Sequence, residues 1–265
     1  MLTADINDKP NSFKVAFLTV SSIFIMGYLN ALALNTYDLG SMLTPQTGNI
    51  IWLGINAASG YWGYFIENLG LFFGFMIGAV FALFTHNLFR NKNAQFFWNW
   101  SFFVIPIAIY PLVFQYMVQP AVSFFVLGFS AGATLGFFRK IYHMEINTSM
   151  ATGNVRFLGL HFAQAFIKKD TKGDKKEIFT FWIFFVSVFA FALGAFVYGV
   201  FARIDSGLAS ELHIGLGRSG YIYERLTFGR YETDLSKVTN VTRYIALVVF
   251  CIIPYFFCPK NAISK

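Results

Sequence analysis

The sequence predicts an all-α, polytopic membrane protein, and three observations lead to this prediction. They are long hydrophobic runs, a shortage of charged residues and an internal repeat. Hydrophobic residues make up 56% of the 265 residues and charged residues 12%, whereas an average soluble domain is roughly 25% charged. Because a membrane-spanning helix needs roughly 20 apolar residues, a soluble globular fold is excluded.

The net charge of +7 does not indicate a nucleic-acid partner. Lys and Arg lie between the hydrophobic runs, as topology signals do, and do not follow one face of an element, as a nucleic-acid footprint does. The expected surroundings are therefore the lipid bilayer, and no nucleic acid is expected.

Six hydrophobic runs predict six spanning helices, in a single transmembrane domain. They cover residues 13–34, 64–89, 96–118, 121–138, 178–202 and 241–258. Two weaker, partly polar segments lie at 44–58 and 149–167. Pro106 and Pro111 are expected to kink the third run, which membrane helices tolerate where neighbouring helices satisfy the freed backbone groups.

An internal repeat relates the two halves of the chain. Thr47-Gly48-Asn49 recurs 105 residues later as Thr152-Gly153-Asn154, and the same offset pairs Gly27 with Gly132 and Gly54 with Gly159. Beyond an insertion at 168–177, Gly78-Ala79 matches Gly194-Ala195. Several matches in one register predict a duplication, with repeat 1 at about 13–118 and repeat 2 at about 121–258.

Two topologies are compatible with this repeat. If both Thr-Gly-Asn segments cross the membrane, there are eight spans and the repeats are parallel. If both re-enter, there are six spans and the repeats are inverted. With a cytoplasmic N-terminus, six spans put Arg90, Arg139 and the lysines of 168–176 in the cytoplasm, which the positive-inside tendency favours. We therefore expect six spans, cytoplasmic termini and an extramembrane loop or cap at 206–240.

Small residues recur at every fourth position in three runs, which predicts close helix packing in lipid. They are Gly70/Gly74/Gly78, Gly128/Gly132/Gly136, and Ala190/Gly194 with Ala195/Gly199.

A G-x-S-x-G pattern surrounds Ser130, and it leaves an intramembrane serine hydrolase open as an alternative, with His143 or His161 as the base. That motif needs a strand–turn–helix context, and here it lies in an apolar run. The four scattered histidines lack paired metal-ligand spacing, so neither a metal nor a cofactor is expected.

The Thr-Gly-Asn segments are the candidate binding site. Thr is a good N-cap, Gly permits close approach of the backbone, and Asn offers both a donor and an acceptor. A helix that begins there aims its free N–H groups and its positive dipole end at whatever lies beyond. The alternative is that these segments only join helices by hydrogen bonds. The predicted site comprises Asn30, Thr47, Gly48, Asn49, Asn56, Thr152, Gly153, Asn154, Arg156 and His161.

These residues resemble the YoaK-like family of bacterial membrane proteins, also called DUF1275. The resemblance rests on Gly27-Tyr28-Leu29-Asn30-Ala31, the two Thr-Gly-Asn segments, the Gly74/Gly78 helix and Gly132…Arg139. It implies a membrane protein that transports small molecules. Asn30 stands where the family tends to have Asp, and Thr134-Leu135 stands where it tends to have Gln-Asn, which puts in doubt any ion coupling at those positions.

The resulting hypothesis is a carrier or channel that moves a small polar or anionic solute, or an ion, across the bacterial inner membrane. No acidic residue falls in the middle of a run, and only Glu67 comes near, so coupling through a buried carboxylate is not predicted. The other classes left open are an intramembrane enzyme and a structural or assembly protein. Association into a homo-oligomer is also left open.

Overall fold

The computed structural model describes residues 9–36, 43, 46–88, 92–109, 120–138, 140–141, 144–148, 151–167, 174–213 and 241–254. This part of the chain holds eight α-helices, so the all-α prediction is confirmed. They are α1 (Lys9–Thr36), α2 (Gln46–Ala58), α3 (Trp62–Leu88), α4 (Lys92–Ile109), α5 (Pro120–Phe137), α6 (Ala151–Phe162), α7 (Asp174–His213) and α8 (Val241–Ile252). A π-helix, Ala163–Ile167, continues α6.

Three helices in the described part are long and apolar enough to cross a membrane: Val15–Ala33, Trp62–Thr85 and Lys175–Ile204. Three shorter apolar helices accompany them, Phe97–Ala108, Ala121–Phe137 and Arg243–Ile252. Many large apolar side chains on the outer surface are exposed, Val80, Phe84 and Phe196 among them. Such a surface is typical of a protein that contacts lipid.

One helix is described for only part of its predicted run, and another extends beyond its run. Helix α4 contains Pro106 and is described as far as Ile109, and the rest of the predicted run, with Pro111, lies outside the described residues. Helix α7 continues to His213, beyond the apolar run that ends at 202, and so includes the first eight residues of the region predicted as an extramembrane loop or cap. A helix does not have to end where the apolar run ends, because Ala, Leu and Glu in this extension are good helix formers. Residues 214–240 lie outside the described part.

A two-stranded antiparallel hairpin between α5 and α6 was not predicted. β1 (Lys140–Ile141) pairs with β2 (Met144–Glu145), with Lys140 opposite Glu145. Two strands this short are not stable alone. The hairpin is held by burial instead, since Ile141 and Ile146 pack with Ile23 and Phe184.

Helices α3 and α5 form a close parallel pair through their glycines. The backbone carbonyls of Phe125 and Phe129 lie directly over Gly74 and Gly78. In return, the carbonyl of Phe75 lies over Gly132. A Cβ atom at these glycines would overlap a carbonyl oxygen of the facing backbone, so the predicted packing role of these two stripes is confirmed.

Helices α1 and α7 form a second parallel pair of the same kind. The Phe191 carbonyl lies over Gly27, and the Phe24 carbonyl lies over Gly194. Farther along both helices, the Tyr28 and Tyr198 rings meet edge to face with 5.3 Å between their centroids. Gly199 has no neighbouring atom within 4 Å, so the third small-residue stripe serves packing at Gly194 and not at Gly199.

Helices α4 and α8 complete the core through side-chain hydrogen bonds to the backbone. The buried Trp100 indole of α4 donates to the Cys251 carbonyl of α8 at 3.1 Å. The Tyr28 hydroxyl of α1 donates to the Arg243 carbonyl of α8 at 2.7 Å. Each bond satisfies a polar group that would otherwise be costly to bury, and together they link α1, α4 and α8.

Candidate functional site

The two Thr-Gly-Asn sequences begin helices that each pack against the following long helix. Helix α2 packs on α3 after a tight turn, in which Gly60 has a φ of 73° and Tyr61 N–H donates to the Asn56 carbonyl at 2.9 Å. Glycine suits the left-handed conformation that often ends a helix. Helix α6 packs on α7 in the second half.

Helix α2 turns its amides inward and its aliphatic side chains outward. Asn49 is 0% exposed and Asn56 is 5% exposed, while Ile50, Ile51 and Ile55 are among the exposed residues. Asn49 and Asn56 are seven residues apart, about two helical turns, so they share one face. The polar stripe therefore faces protein and not lipid.

Helix α6 repeats this orientation. Asn154 is 1% exposed and His161 is partly buried, whereas Val155, Phe157 and Leu160 are exposed. The two halves thus bury side chains at equivalent positions, 105 residues apart.

The Asn154 side chain is held by the segment that precedes its own helix. Its Oδ1 accepts a hydrogen bond from Asn147 N–H at 3.0 Å, and its Nδ2 donates to the Asn147 carbonyl at 2.8 Å. A side-chain amide can match a backbone peptide group in this way because it offers both an acceptor and a donor. These contacts are what the helix-joining interpretation of Thr-Gly-Asn requires at this position.

His161 pairs with a residue of α7. Its Nδ1 lies 2.7 Å from Glu177 Oε2, and the two side chains are 22% and 31% exposed. The imidazole also stacks on Phe184 at 8° with centroids 5.6 Å apart, and Phe157 stacks on the same ring at 5.3 Å. The pair therefore joins α6 to α7 beside aromatic rings.

Of the other predicted site residues that carry a side chain, one is buried and three are exposed. Asn30 is buried in α1, where its Nδ2 donates to the Met26 carbonyl at 2.7 Å. Thr47, Thr152 and Arg156 are exposed. In an α-helix, residues two positions apart point in directions that differ by about 200° around the helix axis. Thr152 and Arg156 are each two positions from the buried Asn154, so they point away from it.

Gly48 and Gly153 have room around them. No atom lies within 4 Å of a Cβ built at Gly48, and Gly153 has only the Asn147 side chain at 3.8 Å. Neither position requires glycine for packing in the described structure. Their predicted role in solute binding stays a prediction.

Two grooves on the described surface are apolar and contain none of the predicted site residues. One, of about 300 Å³, lies between α1, α7 and α8 and is lined by residues such as Phe24, Phe189 and Phe250. The other, of about 440 Å³, lies between α3 and α5 beside Gly70. The predicted polar path between α2 and α6 coincides with neither groove.

The predicted site omits two features of the described structure, the buried residues Glu67 and Asn68 and the pairing of Glu177 with His161. Glu67 and Asn68 of α3 are 6% and 1% exposed, and Asn68 Nδ2 donates to the Tyr64 carbonyl at 3.0 Å. A charge inside an apolar run was the available signal for Glu67. Glu177 was assigned to the insertion at 168–177, and no local pattern could have paired it with His161.

Ser130, the candidate nucleophile, lies inside α5. Its side chain is 0% exposed and its Oγ donates to the Val126 carbonyl at 3.1 Å. His143 lies outside the described residues, and His161 is engaged with Glu177. A hydrogen bond from Ser130 to a preceding carbonyl is typical of serine in an apolar helix.

The family model described as "Protein of unknown function (DUF1275)" matches residues 18–217. The matched stretch contains both Thr-Gly-Asn helices and both glycine-mediated helix pairs, and it excludes α8. Comparisons with curated proteins and with solved structures find no match.

Proposed function

We propose that this chain, which belongs to the DUF1275 family, is a membrane carrier or channel for a small polar or anionic solute. The observation that carries the proposal is the inward polar face of both short helices, Asn49 and Asn56 on α2 and Asn154 and His161 on α6. Burying an amide costs free energy unless it is hydrogen-bonded, and the repetition of this burial at equivalent places in two halves supports a shared role. Half-helices at a repeat interface are a common binding device in transporters.

Six spanning helices are part of this proposal. The three long apolar helices and the three shorter ones make six, while α2, with 13 residues, is about 20 Å long. That length falls short of the hydrocarbon core of roughly 30 Å. In this topology α2 and α6 re-enter the membrane without crossing it.

The glycine contacts support a duplication of the helix packing. Both glycine contacts of the α1–α7 pair have counterparts in the α3–α5 pair, at the sequence offsets of the repeat. Gly27 beneath the Phe191 carbonyl corresponds to Gly132 beneath that of Phe75, and Gly194 beneath the Phe24 carbonyl corresponds to Gly78 beneath that of Phe129. We infer two halves related by a pseudo-twofold axis. An axis along the membrane normal would bring the equivalent residues Gly27 and Gly132 to one level.

The position of the hairpin supports an inverted relation between these halves. If α1 and α5 ran in the same direction with Gly27 and Gly132 at one level, Ile141 would lie about 14 Å beyond Gly27, towards the C-terminus of α1. Ile141 instead packs with Ile23, on the N-terminal side of Gly27. In the proposed six-span topology, antiparallel α1 and α5 would direct the starts of α2 and α6 inward from opposite sides of the membrane.

This arrangement favours a polar or negatively charged solute. A helix N-terminus carries free N–H groups and about half a positive charge, and two such ends would act on the same path. Asn30, Asn49, Asn56, Asn154 and His161 would line it, since these are the predicted site residues with inward side chains.

The test is solute flux in proteoliposomes. A thermal-shift screen of the purified protein would first identify ligands, because a ligand that binds the native state raises its stability. We expect Asn49→Ala, Asn56→Ala and Asn154→Ala to reduce flux of that solute, whereas Ile50→Ala on the outward face of α2 preserves it. Folding of each variant is checked by cooperative thermal unfolding. Unchanged flux in every folded asparagine variant would show that the site assignment is wrong.

A further inference from the structure

The second half of the protein holds an ionisable pair that has no equivalent in the first half. His161 corresponds to Asn56 at the 105-residue offset, and the 116-residue offset that holds beyond the insertion sets Glu177, at the end of that insertion, against Tyr61. Asn56 and Tyr61 are linked only through their backbones in the described contacts, by Tyr61 N–H and the Asn56 carbonyl at 2.9 Å. A difference at one matched place in two similar halves points to a role that only one half performs.

The helix changes its winding directly after this pair. The π-helix Ala163–Ile167 begins two residues after His161. π-helical turns are rare, and they are found frequently at functional sites. In the first half α2 ends at the corresponding place, in the turn around Gly60. The ionisable pair therefore lies at a point where α6 already departs from a regular helix.

We propose that His161 and Glu177 form a proton-binding site that controls how firmly α6 is held against α7. Histidine is the side chain whose charge ordinarily changes between about pH 5 and 8. With His161 protonated, the 2.7 Å contact is an ion pair, and a cationic ring stacks on Phe184. With His161 neutral, one hydrogen bond from Nδ1–H to the carboxylate remains. Protonation thus strengthens the junction between α6 and α7.

Other charged groups on these helices do not reverse the direction in which pH changes the strength of the α6–α7 junction. Within the described residues of α6 and α7 near the pair, Arg156, Lys175 and Lys176 are exposed. Lysine and arginine keep their charge over the range in which histidine titrates. The pH response of this junction therefore comes from the pair itself.

The consequence for transport rests on the proposed function. Because α6 carries Asn154 and His161 on its inward face, loosening α6 from α7 would alter one wall of the path. Proton binding in the second half would then control solute movement, while the first half would provide a wall that does not respond to pH.

Hydrogen–deuterium exchange of the full-length protein in nanodiscs tests the proton site without any knowledge of the solute. The amides of 151–167 are compared at about pH 6 and pH 8, after correction for the chemical exchange rate at each pH. We expect about fivefold greater protection at the lower pH, since protonation adds the attraction of a partly exposed ion pair to the hydrogen bond. Glu177→Gln and His161→Gln should remove this difference, and Lys175→Gln should retain it.

The outcomes separate the two proposals. Equal protection of the wild-type protein at both pH values, or a pH response that persists in folded Glu177→Gln, would overturn the proton site. A pH response that depends on the pair supports the site even if no flux is ever found. If flux exists, the pair predicts a pH-dependent rate in the wild type and a pH-independent rate in His161→Gln.

Discussion

The α2–α3 hairpin and the α6–α7 hairpin bury polar side chains at equivalent positions, yet they hold them by different chemistry. In the first hairpin the buried groups are mostly amides, Asn49, Asn56 and Asn68, with the carboxylate of Glu67. In the second, Asn154 bonds to the Asn147 backbone, and His161 pairs with Glu177. The two halves therefore share their helix packing, whereas the buried polar side chains and their partners differ between them.

The largest expected effect tests whether the scaffold is alike. Gly78→Ala and Gly194→Ala place a Cβ against the Phe129 and Phe24 carbonyls. Because backbone atoms cannot turn aside as a side chain can, each should lower the free energy of unfolding by about 3 kcal/mol. Denaturant unfolding in detergent measures both.

Gly199→Ala is the matched control for these variants, since no atom lies within 4 Å of that position in the same helix as Gly194. It should be neutral or stabilising, because alanine favours helix over glycine by about 1 kcal/mol. Losses in Gly78→Ala and Gly194→Ala that differ strongly from each other, or that match Gly199→Ala, would contradict the equivalence of the two helix pairs.

A smaller effect concerns the way in which the second Thr-Gly-Asn helix is held. Asn154→Ala removes both hydrogen bonds to the Asn147 backbone, so we expect a loss of about 2 kcal/mol in the free energy of unfolding. Asn154→Asp keeps the acceptor for Asn147 N–H but turns a buried carboxylate oxygen towards the Asn147 carbonyl, so its loss should be at least as large. Thr152→Ala, on the exposed side of the same helix, is the control. Similar stability of all three variants would refute this holding role of Asn154.

Next in size is the connection of α8 to the core. Tyr28→Phe removes the hydrogen bond to the Arg243 carbonyl and keeps the ring packed on Tyr198, so the expected loss is about 1 kcal/mol. Tyr61→Phe, at an exposed ring, should change the unfolding free energy much less. Equal losses at the two tyrosines would indicate that the bond to α8 contributes nothing.

The smallest effect is expected at Arg156. Its exposed position predicts that Arg156→Gln changes the unfolding free energy by less than about 0.5 kcal/mol. It should also reduce flux of an anionic solute less than Asn154→Ala does. A greater loss of flux in Arg156→Gln than in Asn154→Ala would show that this arginine contributes to the solute path.

Much of the fold was predictable because its signals are local or periodic. The apolar runs predicted the helices, and the glycine spacing predicted close helix packing. The spacing did not predict which helices pair, namely α3 with α5 and α1 with α7. The inward face of α2 followed from the two-turn spacing of Asn49 and Asn56. The same periodicity puts Arg156 on the outer face of α6, which the prediction of a shared binding site overlooked.

The remaining features depend on contacts between residues distant in sequence. Glu177 meets His161 only because α6 folds back on α7. The hairpin at Lys140–Glu145 forms because Ile141 and Ile146 find Ile23 and Phe184. Gly199 fits the small-residue stripe and still faces open space, because the spacing of glycines does not determine which of them meets a partner helix.

Cysteine accessibility in intact cells tests most directly whether α2 and α6 enter the membrane from opposite sides. With Cys251 and Cys258 replaced, single cysteines are introduced at Ser59, in the turn after α2, and at Lys175, near the start of α7; both positions are exposed. Inverted halves predict that a membrane-impermeant maleimide labels one of the two in intact cells and the other only after permeabilisation. Labelling of both from the same side would mean parallel halves, and the proposed path between opposed half-helices would be contradicted.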